Sequence, residues 1–315
     1  MHNKEYRPTL AQLRTFVTVA ENKHFGTAAA KLEISQPSLS QGLVALEQGL
    51  GVQLIERSTR KVIVTSAGET LLPYAKSTLE AADTFLAHAR GAHGTLSGPL
   101  TIGVIPTIAP YILPDLLAMI TETYPELEPR FVEEQTQHLI ARLRNGNLDL
   151  AVLALPSEAT GMVDSPLYTE DFAIVSPPDH PIAGRTDVQV AELRDLDLLL
   201  LDDGHCLRDQ IVDLCRHAHV NPAEATNSVT RASSLTTIMQ LVMGGLGCTL
   251  IPKSALATEC HGKNLGIAYF DPDVTAEREI GLVFRSSAAR SEEFREFGTL
   301  ITAAYENALA RSLEG

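Results

Sequence analysis

The sequence predicts an α/β protein preceded by a small, mostly helical segment that ends in one long helix. Three observations carry this. The charge is split: residues 1–90 hold ten Lys/Arg and eight Asp/Glu, so the net charge of −14 comes from the remainder of the 315 residues. Before residue 90 the apolar positions recur at helical spacing, apart from two short runs between Val52 and Thr65. Beyond residue 98 strand-like and helix-like segments alternate, which indicates a parallel sheet with helices on both faces.

Composition narrows the class further. The chain is 44% hydrophobic and 20% charged, as soluble globular proteins are, with no Trp and 5% aromatics, so its cores should be aliphatic. Its length allows two or three domains with real cores. An acidic balance argues against a protein coated in nucleic acid. Apolar runs such as Leu198–Leu201 are far too short to span a bilayer. Lys4, Glu5, Arg7 and Arg14 interrupt the first twenty residues, which therefore lack a signal-peptide layout. Four cysteines without a secretory signal imply a reducing cytoplasm, where they rest as thiols. No cofactor and no membrane partner are expected.

Thr9 is placed to cap a first helix that buries Leu10, Leu13, Phe16, Val17 and Ala20. Gly26–Leu32 reads as a second short helix, and Glu33-Ile34-Ser35 as a tight turn. A third helix starts at Ser35 or Gln36, with Pro37 in its first turn, where a missing N–H costs nothing. Leu39, Leu43, Leu46 and Leu50 form its stripe, and Gly49 and Gly51 end it. This is a helix-turn-helix pattern. Gln36, Pro37, Ser38, Ser40, Gln41 and Val44 fall on the exposed face, where the polar side chains have the reach for base edges. Val52–Ile55 and Lys61–Thr65 read as two short strands. The turn between them carries Arg57, Arg60 and Lys61, suited to phosphate contact. A small helical domain with a solvated basic loop would show the same features. From Ser66 to Ala89 the residues Leu72, Ala75, Leu79, Ala82, Leu86 and Ala89 make a heptad seam, which calls for a partner helix, most simply a second copy. A dimer would present two recognition helices to two-fold half-sites.

Phe25, Ala28, Ala29, Leu32, Ser35, Gln36, Pro37, Ser38, Leu46, Glu47, Leu54, Arg57, Arg60, Thr65, Ala67 and Gly68 together resemble the winged helix-turn-helix of LysR-type transcriptional regulators. The resemblance implies DNA binding, a dimerising linker helix and an effector domain of two lobes shaped like a periplasmic binding protein. On it, the winged helix-turn-helix is expected over 1–65, the linker helix over 66–90 and a Gly/Ser/Pro-rich hinge over 91–98. One lobe is expected from 99–168 with 277–315, the other from 169–276.

The alternating segments run Thr101–Ile105, Ala109–Tyr124, Arg130–Glu134, His138–Asn145 and Leu148–Leu153. They continue with Phe172–Val175, Leu198–Leu201, Cys206–Ala218, Ser228–Ala232, Leu235–Met243, Cys248–Ile251, Ile280–Phe284 and Glu292–Ala310. No repeat of domain-building length is evident. In open α/β sheets ligands sit where strand ends meet helix N-termini. Ile105-Pro106-Thr107, Gln135-Thr136 and Asp203–Cys206 are three such points. Thr107 and Thr136 would equally serve as plain helix caps.

Asp202–His219 contains Cys206 and Cys215. If it is helical, nine residues hold the two Cα atoms about 13.5 Å apart on opposite sides of the axis. A disulfide needs about 7 Å or less, so pairing requires part of the helix to unwind. Leu207, Ile211, Leu214, Cys215 and Ala218 form the apolar stripe, with Cys206 well off it. Asp202-Asp203-Gly204-His205-Cys206-Leu207-Arg208-Asp209-Gln210, the Ile105-Pro106-Thr107 and Gln135-Thr136-Gln137 segments, and Arg278 resemble the peroxide-sensing OxyR branch of the same family. That resemblance implies Cys206 as the peroxidatic and Cys215 as the resolving cysteine. A thiolate is the attacking species, so Cys206 needs a lowered pKa, which a helix N-terminus and Arg278 or His205 would favour. Thr107, Thr136 and Gln210 would orient peroxide by hydrogen bonds. The partners expected are double-stranded operator DNA, hydrogen peroxide, RNA polymerase and other copies of the chain, as a homodimer through the linker helix and a homotetramer.

Other readings stand beside this one. A small organic effector in the interlobe cleft would leave the cysteines incidental. A thiol peroxidase would have no need of residues 1–90. Cys248 reads as inert packing at a strand start, and Cys260 as a bystander in a polar loop. Cys206, Cys215, His217 and His219 lack a CxxC pair and encircle a helix, a poor zinc site. Gly244–Gly247 lacks the Lys-Ser/Thr ending of a phosphate loop.

Overall fold

The computed structural model describes residues 6–57, 62–89, 96–217 and 232–314. The chain divides into two compact units, the first built on Met1–Thr95 and the second beginning at Leu96. Among the described residues no helix is long and apolar enough to cross a membrane.

In the first unit α1 spans Leu10–Asn22. Thr9 caps it through a reciprocal box: its hydroxyl accepts from Gln12 N–H at 3.3 Å while Gln12 Oε1 accepts from Thr9 N–H at 3.0 Å. α2 is Phe25–Lys31 and α3 is Gln36–Leu50. The turn between them places Glu33 at φ 54°, and Ser35 caps α3 by accepting from Ser38 N–H. Phe16, Val19, Ala28, Leu39, Leu43 and Leu46 are the buried centre of the trihelical core. Leu10, expected inside, is 46% exposed, because the first turn of α1 overhangs that core.

The wing is shorter than expected and shifted. β1 is Ile55–Arg57 and β2 is Val62–Val64, paired antiparallel. Where β1 begins, Glu47 of α3 anchors the chain: its Oε1 accepts from Leu54 N–H at 2.8 Å and Ile55 N–H at 2.9 Å. α4 spans Ser66–Ala89 as read from the sequence. Its seam is divided. Ala75 and Leu79 are buried within the unit, where α4 lies against α1, whereas Leu86 is 47% exposed. The large apolar side chains left outside on α4 are Tyr74, Phe85 and Leu86, so the open stripe is rotated from the predicted one.

The second unit is organised by one mixed sheet. Its strands are β3 Gly98–Val104, β4 Leu127–Glu133, β5 Leu150–Ala154, β6 Met162–Ser176, β7 Thr249–Pro252, β8 Gly266–Tyr269 and β9 Glu277–Arg285. The order is β4-β3-β5-β9-β6-β7, with β8 also on β6. Only β3–β4 and β3–β5 are parallel. Every pairing of β9 and β6 is antiparallel, which corrects the all-parallel expectation. β6 pairs β9 along Met162–Asp171 and then β7 and β8 along its end. Leu198–Leu201 is not a strand of the sheet: it is a buried extended segment tied by isolated bridges at Leu198–Cys248 and Leu201–Ala232. The helices are α5 Ala109–Thr123, α6 Thr136–Arg144, α7 Cys206–His217, α8 Leu235–Met243, the short α9 Leu256–Glu259 and α10 Ser291–Glu314. Residues 91–95 of the hinge expected over 91–98, and 228–231 of the strand expected over 228–232, lie outside the described residues.

Glu47 should therefore matter to the wing more than its half-exposed position suggests. Replacing Glu47 by Ala leaves two backbone donors without a charged acceptor, at a cost of about 2 kcal/mol. Hydrogen exchange at the Leu54 and Ile55 amides should quicken while α2 is unaffected, and unchanged exchange at both would contradict this role.

Candidate functional site

The first unit presents α3 as a polar ridge. Gln36, Pro37, Ser38 and Gln41 are exposed, and Val44 is 37% exposed. Ser40 is half-buried. Ser38 Oγ lies 2.8 Å from Ser35 Oγ, so this hydroxyl is shared with the helix cap. Arg57 ends β1, and Arg60 and Lys61 lie outside the described residues.

The second unit gathers Thr107, Thr136, His205 and Cys206 of the predicted residues at one crevice. Ile105, Pro106 and Thr107 leave the end of β3, Gln135 and Thr136 follow β4, and His205 and Cys206 open α7. The crevice they line has no room for a water molecule as it stands. Gly204 turns the chain into α7 at φ +92°, and a Cβ there would stand 2.6 Å from Gln135 Oε1. The positive φ is what favours glycine here. Gln135 Nε2 donates to Asp203 O at 3.4 Å across the same gap.

Arg278 reaches the site from β9. Its side chain has no exposed surface, and Glu170 opposite it on β6 is 1% exposed. The two are cross-strand register partners. Arg278 Nε and Nη2 donate to Glu170 Oε2 at 2.9 and 2.7 Å. Nη1 donates to Thr107 Oγ1 at 2.8 Å and Nη2 to Thr107 O at 2.9 Å. Ser254 donates both its hydroxyl and its N–H to Glu170 Oε1. A buried charge needs such pairing on every side. Thr107 is thus an acceptor for Arg278 and not a cap: α5 starts with no side-chain cap. Thr136 does not cap either. Its Oγ1 and Gln210 Oε1 are buried without a well-formed hydrogen bond. Gln210 lies four residues beyond Cys206 and hence on the same side of α7.

The electrostatics differ from expectation. Burial pushes the Cys206 thiol up, while Arg278, the Thr136 hydroxyl and the Leu207 N–H pull it down; burial wins. The expected lowered pKa is therefore not met in this state, because desolvation penalises the thiolate more than one ion-paired guanidinium favours it. His205 is 5% exposed, and burial lowers its pKa against the pull of Asp202. That direction disfavours His205 as the cation beside Cys206. Cys215 is 1% exposed beneath Leu207 and Ile211, and burial raises it too. Both cysteines lie on one uninterrupted helix, and all four cysteines are free thiols. Cys248 is buried, with its pKa pushed up to about 11. Cys260 is not in a polar loop: it ends α9, is 6% exposed and is also pushed up to about 11. Among the described residues no cluster of three His, Cys, Asp or Glu could hold a metal; Ala218 and His219 lie outside them.

An adjoining cavity of ≈ 110 Å³ shares Pro106, Thr107 and His205 with the crevice and is also lined by Tyr111, Glu133, Ser234, Thr236 and Glu259. Tyr111 Oη and Thr236 Oγ1 both donate to Glu259 Oε1, at 3.2 and 3.0 Å. Glu170 was not visible in the sequence reading. The signal was Arg278 itself, a cation beside the apolar run of β9 that demands a buried counter-ion.

Iodoacetamide alkylation of Cys206 in the reduced protein should keep rising beyond pH 9.0, its ordinary thiol value. A rate already level by pH 7 would contradict the dominance of burial.

Comparison with known proteins places the chain. Residues 10–69 match the model of the bacterial regulatory helix-turn-helix of the lysR family, and residues 93–306 that of the LysR substrate binding domain. A probable hydrogen peroxide-inducible genes activator of Mycobacterium avium is 51% identical over 301 residues, 96% of each chain. A cysteine-to-serine variant of Corynebacterium glutamicum OxyR bound to H2O2 is 65% identical, covers 99% of this chain and 97% of its own, and superposes with a TM-score of 0.71. The oxidized form of that OxyR is also 65% identical, covering 100% and 96%, with a TM-score of 0.64. With both halves matched and these relatives matched over nearly their full length, the chain belongs to the LysR family of transcriptional regulators, in its OxyR branch.

Proposed function

We propose that this protein is a DNA-binding transcriptional regulator that senses hydrogen peroxide through Cys206 and Cys215. The observation that carries the reading is the opening of α7. There Cys206 meets Arg278 and the Thr136 hydroxyl, with the buried Gln210 Oε1 one turn along without a well-formed hydrogen bond and Cys215 further along the same helix. Those oxygens suit a small ligand with hydroxyl groups. That a relative is known in an H2O2-bound and an oxidized form supports the same reading.

The chemistry runs in two steps. The Cys206 thiolate attacks one peroxide oxygen and the O–O bond breaks, leaving a sulfenic acid and a hydroxide that is protonated to water. Arg278 and the Thr136 hydroxyl favour the thiolate, and the Thr107 hydroxyl, held by Arg278, can donate to the departing oxygen. The Cys215 thiolate then attacks the Cys206 sulfur, forming the disulfide and releasing a second hydroxide, again protonated to water. About 13.5 Å of helix separates the two positions, so α7 must unwind for the second step. Burial of Cys215 means that its apolar contacts are lost in the process. This coupling converts oxidation into a change of shape. The output is α3, with Gln36, Ser38, Ser40 and Gln41 against base edges and Arg57, Arg60 and Lys61 on phosphates. Tyr74, Phe85 and Leu86 of α4 supply an apolar stripe for a second copy, and a tetramer would let the oxidised regulatory units respace the two DNA-binding pairs. The protein acts in the cytoplasm, possesses no catalytic turnover of its own and signals to RNA polymerase.

Peroxide treatment of the reduced protein should yield a Cys206–Cys215 disulfide by mass spectrometry, with one peroxide consumed per chain when no reductant is added. Cys206→Ser should abolish both, along with any change in the DNA footprint. A Cys248–Cys260 bridge, or only free thiols, would contradict the scheme. An effector-type regulator would instead keep its response to a small organic molecule in Cys206→Ser.

A further inference from the structure

We infer that Glu170 is a positioning residue that sets the reactivity of Cys206 through Arg278. Its carboxylate aims the guanidinium at Thr107 and offsets the charge that would otherwise favour the Cys206 thiolate in full. This rests on the reading of Cys206 as the reacting thiol.

The geometry supports the assignment from several sides. Arg278 has five N–H donors, and contacts to Glu170 and Thr107 occupy four of them. Two of those four end on a single oxygen, Oε2 of Glu170. The other carboxylate oxygen is held by Ser254, from its hydroxyl and its N–H, so the carboxylate cannot rotate away. The pair faces across β6 and β9, and neither side chain is more than 1% exposed. Water cannot screen such a pair. A lone guanidinium beside a cysteine should pull its thiol well down. Here the cation is already half of an ion pair, and burial prevails at Cys206.

The surrounding groups leave Glu170 as the buried anion in question. Tyr168 of β6, Tyr111 of α5 and Tyr305 of α10 sense Arg278 and Glu170, but burial raises all three, so they stay neutral. Burial likewise disfavours the charged form of His205. Asp209 on α7 raises Cys206 weakly from an exposed position. The sensor's threshold is thus set by a residue that need not touch peroxide. Restraining the thiolate would keep Cys206 from reacting with weak oxidants at rest.

The test is the pH profile of iodoacetamide alkylation of Cys206, read on its own peptide by mass spectrometry in the reduced full-length protein. In Glu170→Gln the midpoint should fall by about one pH unit, which is about tenfold faster alkylation at pH 7. Glu170→Asp should stay near the wild-type midpoint, since it keeps the charge. Ser254→Ala keeps the carboxylate and frees it of a donor, so its midpoint should rise slightly. An unchanged or higher midpoint in folded Glu170→Gln overturns the inference. If that variant does not fold, an unchanged or lower midpoint in Ser254→Ala overturns it instead. A wild-type Cys206 that stays a free thiol under peroxide defeats the function proposed above and leaves the midpoint comparison intact.

Discussion

Backbone hydrogen bonding along α7 keeps Cys206 and Cys215 apart, and the rest of the second unit is arranged around that separation. A helix rises by a fixed amount per residue and turns by a fixed angle, so nine residues put the two thiols on opposite faces whatever their side chains do. Leu207, Ile211 and Cys215 bury one face in the core. Cys206 is left at the helix start, against the loops that leave β3 and β4. The apolar stripe therefore does two things at once: it stabilises the resting fold and withholds the second thiol.

The opposite face is polar and costly to build. Arg278 sits where no water reaches it, so its charge must be met by protein alone. Glu170 and Thr107 meet it, with Ser254 holding the Glu170 carboxylate, and in doing so they tie β6 and β9 to the loop after β3. The same network accords with the direction of the Cys206 shift, upward through burial despite the nearby cation. Desolvation acts on the full thiolate charge, whereas the cation acts through the remainder that its own counter-ion leaves. The crevice beside Cys206 has no room for a water molecule as it stands, so on the proposed reading an oxidant enters only where the lining loops shift.

Much of this was legible in the sequence, for identifiable reasons. α4 and α8 were read to the residue because their apolar periodicity is strong and their flanks are clear. Cys206, Thr107, Thr136, Gln210 and Arg278 came from short segments whose resemblance is specific. The first half of β6 was missed because Met162–Thr169 contains Pro166 and has no clean alternation; its pairing with β9 holds it through a register shift between Pro166 and Tyr168. β8 is only four residues long. The mixed sheet could not be told from a parallel one, because alternation of elements does not encode strand direction. Leu198–Leu201 has a strand's composition, but among the described residues only isolated bridges to Cys248 and Ala232 hold it. The direction of the Cys206 shift was out of reach as well, since burial is a property of the assembled unit. Glu170 lies 108 positions from Arg278 in sequence, and only the β6–β9 register brings them face to face.

The central claim is that α7 must unwind for Cys206 and Cys215 to join. Hydrogen exchange of the α7 amides between Leu207 and His217, measured before and after stoichiometric peroxide, tests it directly. Protection in the reduced protein that is lost as the disulfide forms is the predicted result. A disulfide between these two residues with α7 still protected would contradict the account.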